Sequence, residues 1–179
     1  TTLLTLANEA ANIYTATIND ASVDASDLVA LDTKIDNLTV DAAVVTITED
    51  AVTIGLDSAA GVVSALGLTA NDAAATITGA ISVANANLIA GATTGVVTVV
   101  VTAGTAAALN AALVDSGAQV NAYTLTISDT GSVKATDLTG LDGKTSVVVD
   151  ASAVTNITGS SAEVAAAYAA NPITAISGL

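Results

Sequence analysis

Aspartates are the side chains of this sequence best suited to chemistry, because several recur at similar spacing in two parts of the chain. Calcium binds about six to eight oxygen ligands, several of them from carboxylates. No stretch has the EF-hand pattern of alternating Asp or Asn followed by Gly and a final Glu. A calcium site would therefore have to draw on the recurrent acids, and the candidate ligands are Asp20, Asp24, Asp27, Asp129, Asp137 and Asp142.

These acids also have a purely structural interpretation, which the pattern favours. Asp27 and Asp137 each precede a leucine, as Asn87 does in the middle of the chain. Asp and Asn are common residues at the start of a helix, where they bind free backbone N–H groups. The remaining acids would then keep the surface soluble. The sequence thus predicts no cofactor, with calcium kept as the alternative.

The residue types that are missing exclude several classes of function. The 179 residues contain no Cys, His, Met, Trp, Phe or Arg, and three Lys stand against 14 Asp and 3 Glu, which gives a net charge of −14. Metal sites built from imidazole or thiolate are excluded, as are nucleophiles activated by histidine. Nucleic-acid binding needs a basic surface, so we predict none. A carboxylate glycosidase would normally carry aromatic platforms, and we predict that the chain is not an enzyme.

The apolar stretches are too short for a membrane span. The longest lie at residues 95–101 and 106–114, whereas a spanning helix needs roughly 20 apolar residues. We therefore predict no membrane insertion.

An internal repeat divides the chain into three units, at residues 1–68, 69–118 (a shortened copy) and 119–179. In each unit a Thr-rich alternating run precedes a Ser-Val pair, at Ser22, Ser82 and Ser132. A second segment follows, with Ser or Thr, an aliphatic residue four positions later and a bulky residue eight positions later. Its copies are Ser58, Val62 and Leu66; Thr105, Leu109 and Leu113; and Ser160, Val164 and Tyr168.

Periodicity assigns elements to these segments. The Thr-rich runs and the stretches 37–48, 95–102 and 146–158 alternate like strands. The second segment predicts a short helix, with Ser160 and Glu163 at capping-box spacing. The predicted fold is therefore β-rich with short helices (α+β), an irregular repeat solenoid of strand–turn–strand–helix units. Tandem small β-sandwiches are the alternative.

The few lysines and tyrosines are predicted to have structural roles. Lys34 and Lys144 hold equivalent positions and are interpreted as exposed charges, with an ion pair or crosslink as the alternative. Tyr14, Tyr123 and Tyr168 are predicted to pack in the core.

The repeats also resemble a known group of proteins. The runs at 137–145 and 149–159, DLTGLDGKT and VDASAVTNITG, are similar to the Ala/Thr/Asp-rich tandem repeats of very large secreted bacterial proteins of the cyanobacterial and marine surface or adhesin-like type. The resemblance implies an extracellular structural or adhesive role.

Two functional hypotheses follow. The first is a non-enzymatic extracellular repeat protein that assembles head to tail, through its termini, into a fibre, sheath or surface layer. It rests on the order of the segments at the two ends: residues 174–179 follow the third predicted helix and residues 2–6 precede the first predicted strand, so appending the N-terminus to the C-terminus would continue the repeat roughly in register. The alternative is a calcium-dependent adhesin or binding module on a bacterial surface.

Overall fold

A computed structural model describes residues 5, 13–44, 46–52, 59–114, 120–169 and 173–174. Strands and short helices alternate along most of the described chain. The strands are β1 (Thr15–Ile18), β2 (Ser22–Asp24), β3 (Asn37–Val40), β4 (Thr46–Asp50), β5 (Ala74–Ile81), β6 (Val97–Val101), β7 (Ala122–Thr124), β8 (Ser132–Lys134), β9 (Val149–Asp150), β10 (Asn156–Thr158) and β11 (Ile173–Thr174). The helices are α1 (Ala25–Asp32), α2 (Ala60–Leu68), α3 (Val83–Gly91), α4 (Ala106–Ala112), α5 (Ala135–Asp142) and α6 (Ser161–Ala169).

Every strand pair in the described part of the chain is parallel. β1 pairs with β3, β2 with β4 and β8 with β10, while the order β2-β4-β5-β6-β7 forms a five-stranded sheet. Paired residues are separated by similar lengths of chain, from Ala80 and Val100, 20 apart, to Thr46 and Ala74, 28 apart. Parallel neighbours need a crossover connection, and most of these contain a helix. The described part of the chain is therefore mixed α/β with parallel sheets.

This arrangement corrects two expectations about the strands. Tandem β-sandwiches are wrong, because such sandwiches are built from antiparallel strands. The predicted strand at 37–48 is in fact two strands, β3 and β4, separated by a turn in which Val44 N–H donates to Asp41 O at 3.0 Å. The stretch 146–158 is likewise divided into β9 and β10. The five-stranded sheet also joins strands from all three predicted units, whose boundaries stay predictions.

The helices form a row that packs against the strands. Each of α1 to α5 contacts the next helix in chain order, and several contact strands of the five-stranded sheet. The core lies between these layers and consists of small aliphatic side chains, including Leu28, Ile47, Val62, Val97 and Ile89. The chain has so few aromatics that thin layers of Ala, Val, Ile and Leu fill this space. None of the described helices is long and apolar enough to cross a membrane.

The local capping signals are largely confirmed. Ser160 N–H donates to Glu163 Oε2 at 2.7 Å, and Glu163 N–H donates to Ser160 Oγ at 3.3 Å, which is the reciprocal capping box. The N-cap of α4 is Thr105, whose hydroxyl accepts from Ala108 N–H at 3.2 Å. Ser58 lies outside the described residues.

Equivalent residues of the first repeat segment have the same environment in two copies and a different one in the middle copy. Leu28 and Leu138 are both fully buried in α1 and α5, whereas Leu88 is 54% exposed. Ser22 and Ser132 lie in strands, but Ser82 is the N-cap of α3. The matching residues of the middle copy therefore have different structural positions, and Ile89 is the buried residue of this helix in place of Leu88.

Candidate functional site

The six candidate calcium ligands are distributed over two ends of the structure, where most of them stabilise helices. Asp24 is the N-cap of α1, and its carboxylate accepts from Ser26 N–H at 3.0 Å and from Asp27 N–H at 3.2 Å. Asp27 lies in the first turn of α1, where a negative charge interacts favourably with the positive end of the helix dipole. Asp20 is exposed in the bend after β1. The structural interpretation therefore accounts for Asp24 and Asp27.

The three later acids have separate environments. Asp129 accepts from Ala106 N–H at 2.7 Å and so caps α4 from a distant part of the chain. Asp137, in the first turn of α5, accepts from the Asn110 side-chain amide at 3.3 Å. Asp142 has one carboxylate oxygen buried without a hydrogen-bond partner, and this burial raises the pKa of Asp142.

Two of the candidate ligands lie in one cavity. Asp129 and Asp137 line a cleft of about 170 Å³. Lys134 also lines it, and its ammonium group opposes the binding of a cation. No group of three or more carboxylates that could hold a metal occurs in the described part of the chain. The cleft therefore offers fewer charged ligands than calcium sites usually have.

Several side-chain hydrogen bonds join α4 to α5 and to the residues that follow α5. The sequence did not predict this polar junction. Lys144, interpreted above as an exposed charge, is half-buried and reaches the C-terminal end of α4. Its ammonium donates to Leu113 O at 2.7 Å and also to Asn110 O. A cation at the C-terminus of a helix satisfies carbonyls that lack intrahelical partners. It also interacts favourably with the negative end of the helix dipole. The interpretation of Lys144 as an exposed surface charge was wrong.

A second contact holds the same helix end from the other side. The Asn87 amide, on α3, donates to Ala112 O at 2.8 Å, while its oxygen accepts from Val114 N–H at 3.1 Å. α4 has only seven residues, and isolated helices of that length are unstable in water. Neighbouring helices on both sides therefore supply the groups that hold α4 in place.

Close approach of the Asn110 side chain to the backbone of α5 completes this junction. A Cβ built on Gly140 of α5 would lie 2.5 Å from Asn110 Oδ1. The absence of a side chain at Gly140 thus lets Asn110 lie over α5 and reach Asp137. The signal in the sequence was the difference between Gly140 and Ala30 in two otherwise similar segments.

A buried polar network crosses the sheet near β7. Tyr123 is fully buried, as predicted for the core, and its hydroxyl accepts from the Asn121 amide at 3.0 Å. The Asn121 oxygen in turn accepts from Val97 N–H at 2.9 Å. Burial raises the pKa of Tyr123 to about 12, although the bond from Asn121 opposes this shift. A phenol of that pKa stays protonated at neutral pH, so this network holds strands together and offers no base.

A second cleft has a volume of about 520 Å³, and its lining includes Asn71, Asn87, Thr93 and Thr94. No titratable side chain lines it among the residues that the structure describes. The described lining therefore offers amide and hydroxyl groups for hydrogen bonding and no charge.

Comparisons with known proteins leave function to be argued from this geometry. No family model, no curated protein and no solved structure matches the chain.

Proposed function

We propose that this chain is a structural repeat protein of the bacterial exterior, which stacks head to tail into a fibre, sheath or surface layer. In this proposal the parallel layers of strand and helix are the turns of a solenoid, and assembly continues the stack from one copy to the next. The role is non-enzymatic and extracellular. One observation carries the proposal: the last described helix exposes the positions that equivalent helices bury.

The comparison uses the repeated helical segment, whose copies include parts of α2, α4 and α6. The bulky residue eight positions after the Ser or Thr is buried in α2 and α4, as Leu66 and Leu113. In α6 the same position is Tyr168, which is 54% exposed. This exposure contradicts the prediction that Tyr168 packs in the core.

The aliphatic position four residues after the Ser or Thr shows the same difference. Val62 and Leu109 are 1% and 3% exposed, whereas Val164 is only half-buried. Within α6 the one buried residue is Ala167, while α2 buries three. The apolar stripe of α6 has therefore the composition of an internal helix and the exposure of a terminal one.

The position of α6 in the row explains this difference. α2 and α4 have a helix on each side, whereas α6 contacts α5 and is the last helix that the structure describes. A further layer would cover Val164 and Tyr168, and burial of an aromatic side chain of this kind stabilises by roughly 1.5–3 kcal/mol. A contact between unlike ends of identical copies does not close on itself and so builds an open polymer.

The test is assembly of the full chain, measured by analytical ultracentrifugation and negative-stain electron microscopy. We expect wild type to form linear stacks whose length rises with concentration, and Tyr168→Asp to stay monomeric. Leu88→Asp is the matched control, because Leu88 is equally exposed at 54% but lies on α3, away from the end of the row. Wild type that stays monomeric at high concentration would overturn the proposal.

The second candidate is a calcium-dependent adhesin or binding module, and the shared cleft of Asp129 and Asp137 is the feature that favours it. The same measurements with calcium and with a chelator separate the two. Stacks that survive chelation support the structural role. A thermal midpoint that rises with calcium in wild type, but not in Asp137→Asn, would support the adhesin instead.

A further inference from the structure

We propose that the contact between the first helix and the sheet responds to acid, because uptake of a proton by Glu49 of β4 tightens the docking of α1 and β2. The part of the chain that responds, called here the acidic segment, is residues 13–52, which contain β1 to β4 and α1. The inference concerns a single chain and goes beyond the proposed function, since it holds whether or not copies of the chain stack.

Glu49 is a carboxyl group at a core position of the sheet. Burial alternates along β4, where Ile47 and Glu49 are buried, Thr48 is half-buried and Asp50 is exposed. The Glu49 side chain is 7% exposed, and its Oε1 accepts a hydrogen bond from Asp50 N–H at 2.9 Å. A carboxylate buried to this extent has lost most of its water, and backbone N–H groups replace only part of it. The folded chain therefore disfavours the ionised form of Glu49.

Glu49 lies where the sheet meets the N-terminal end of α1. This helix contacts both β2 and β4. Its N-cap is Asp24, which pairs with Thr48, the residue before Glu49. Burial raises the pKa of Glu49 above 4.5, and the charges of Asp24 and Asp50 raise it further, whereas the N–H groups of Asp50 and Ser26 oppose the shift. The buried carboxyl group thus lies among other acids at the point where α1 docks.

The described elements that pack against β4 place no positive charge near Glu49. β2 supplies Asp24, and α1 supplies Asp27 in its first turn. β5, which pairs with β4, and α2, which packs on it, contain no charged residue. Lys34 follows the opposite end of α1, and the eight residues of that helix span about 12 Å. Proton uptake is therefore the way in which this contact loses its buried charge.

The distribution of charge along the chain makes the response local. The acidic segment contains seven Asp and one Glu against one Lys, which gives it a net charge of −7. Residues 73–114, which include β5, β6, α3 and α4, contain no charged residue and no tyrosine. These central elements have no titratable side chain of their own, so pH acts on them only through their neighbours. They provide an internal reference for any change in the acidic segment.

The test is amide hydrogen exchange of the full chain at pH 7 and pH 4.5, measured by mass spectrometry and corrected for the intrinsic pH dependence of exchange. A carboxyl group whose pKa is raised by folding stabilises the fold at low pH, and this contribution is lost as the pH rises through the raised pKa. In wild type we expect roughly threefold or greater extra protection of α1, β2 and β4 at pH 4.5, with β6 and α4 unchanged. Glu49→Gln, which removes the charge at similar size, should show the higher protection at both pH values.

Asp142→Asn is the matched control, because burial also raises the pKa of Asp142 but this residue lies in α5, outside the acidic segment. It should leave the response of α1 unchanged, and circular dichroism checks that both variants are folded. Equal protection of α1 at the two pH values in wild type, or a response that persists in Glu49→Gln, would overturn the inference. A response of equal size in β6 and α4, or one lost in Asp142→Asn, would indicate a change of the whole fold and would also overturn it.

Discussion

Replacement of Lys144 by Met should destabilise the fold by about 1.5 kcal/mol, because it removes the cation that binds the C-terminal carbonyls of α4. The ammonium donates to two carbonyls, Asn110 O and Leu113 O, the latter at 2.7 Å. Hydrogen bonds from a charged group contribute about 1.5–3 kcal/mol each when buried. Lys144 is only half-buried and the two bonds share one charge, so the lower end of that range applies to the pair. Methionine keeps the apolar stem, and its effect therefore reports the ammonium group.

Urea denaturation followed by circular dichroism measures the change in the free energy of unfolding. Lys134→Met is the matched control, since Lys134 is exposed at the N-cap of α5 and makes no side-chain capping bond. Changes at such surface positions usually stay within about 0.5 kcal/mol. Hydrogen exchange should also show faster exchange of the α4 amides in Lys144→Met alone. Equal midpoints for the two variants would refute the role assigned to Lys144.

Two further predictions test the helix junction and a buried acid. Gly140→Ala should fail to gain the roughly 1 kcal/mol that Ala normally adds inside a helix, because its Cβ would meet Asn110 Oδ1 at 2.5 Å and displace that side chain from Asp137. Gly61→Ala in α2, where the new Cβ meets nothing within 4 Å, should show that gain in the same urea titration, and equal gains would contradict the close approach. Burial raises the pKa of Glu49 above 4.5, so its ionisation opposes folding at neutral pH. Glu49→Gln should therefore be more stable than wild type at pH 7, and this gain should disappear as the pH falls through the raised pKa to below 4.5; a gain that persists at pH 4 would contradict this origin.

Structural features that depend only on residues close together in the chain could be predicted directly from the sequence. The Ser160–Glu163 box and the Thr105 cap formed as predicted, because a capping side chain binds backbone groups two or three residues away. The alternating strand at β6 is equally local, since its period of two follows from the pleat.

The roles of individual charged residues were harder to predict. Lys34 and Lys144 have similar local sequences, but only the tertiary structure shows that Lys144 reaches the end of α4, 31 residues earlier in the chain. Asp129 caps α4 over a similar distance. Such contacts depend on which helices become neighbours, and residue spacing within one segment carries no information about this.

The sequence by itself therefore determined the local strand and helix patterns and the caps of two helices. The tertiary structure decided the parallel order of the strands, the burial of Tyr123 and the exposure of Tyr168. The physical reason is that propensity and periodicity act within a few residues, whereas strand pairing and burial depend on segments that lie 20 to 28 residues apart in the chain. Tyr123 and Tyr168 consequently have opposite environments, one buried in a strand of the sheet and one exposed on the last described helix.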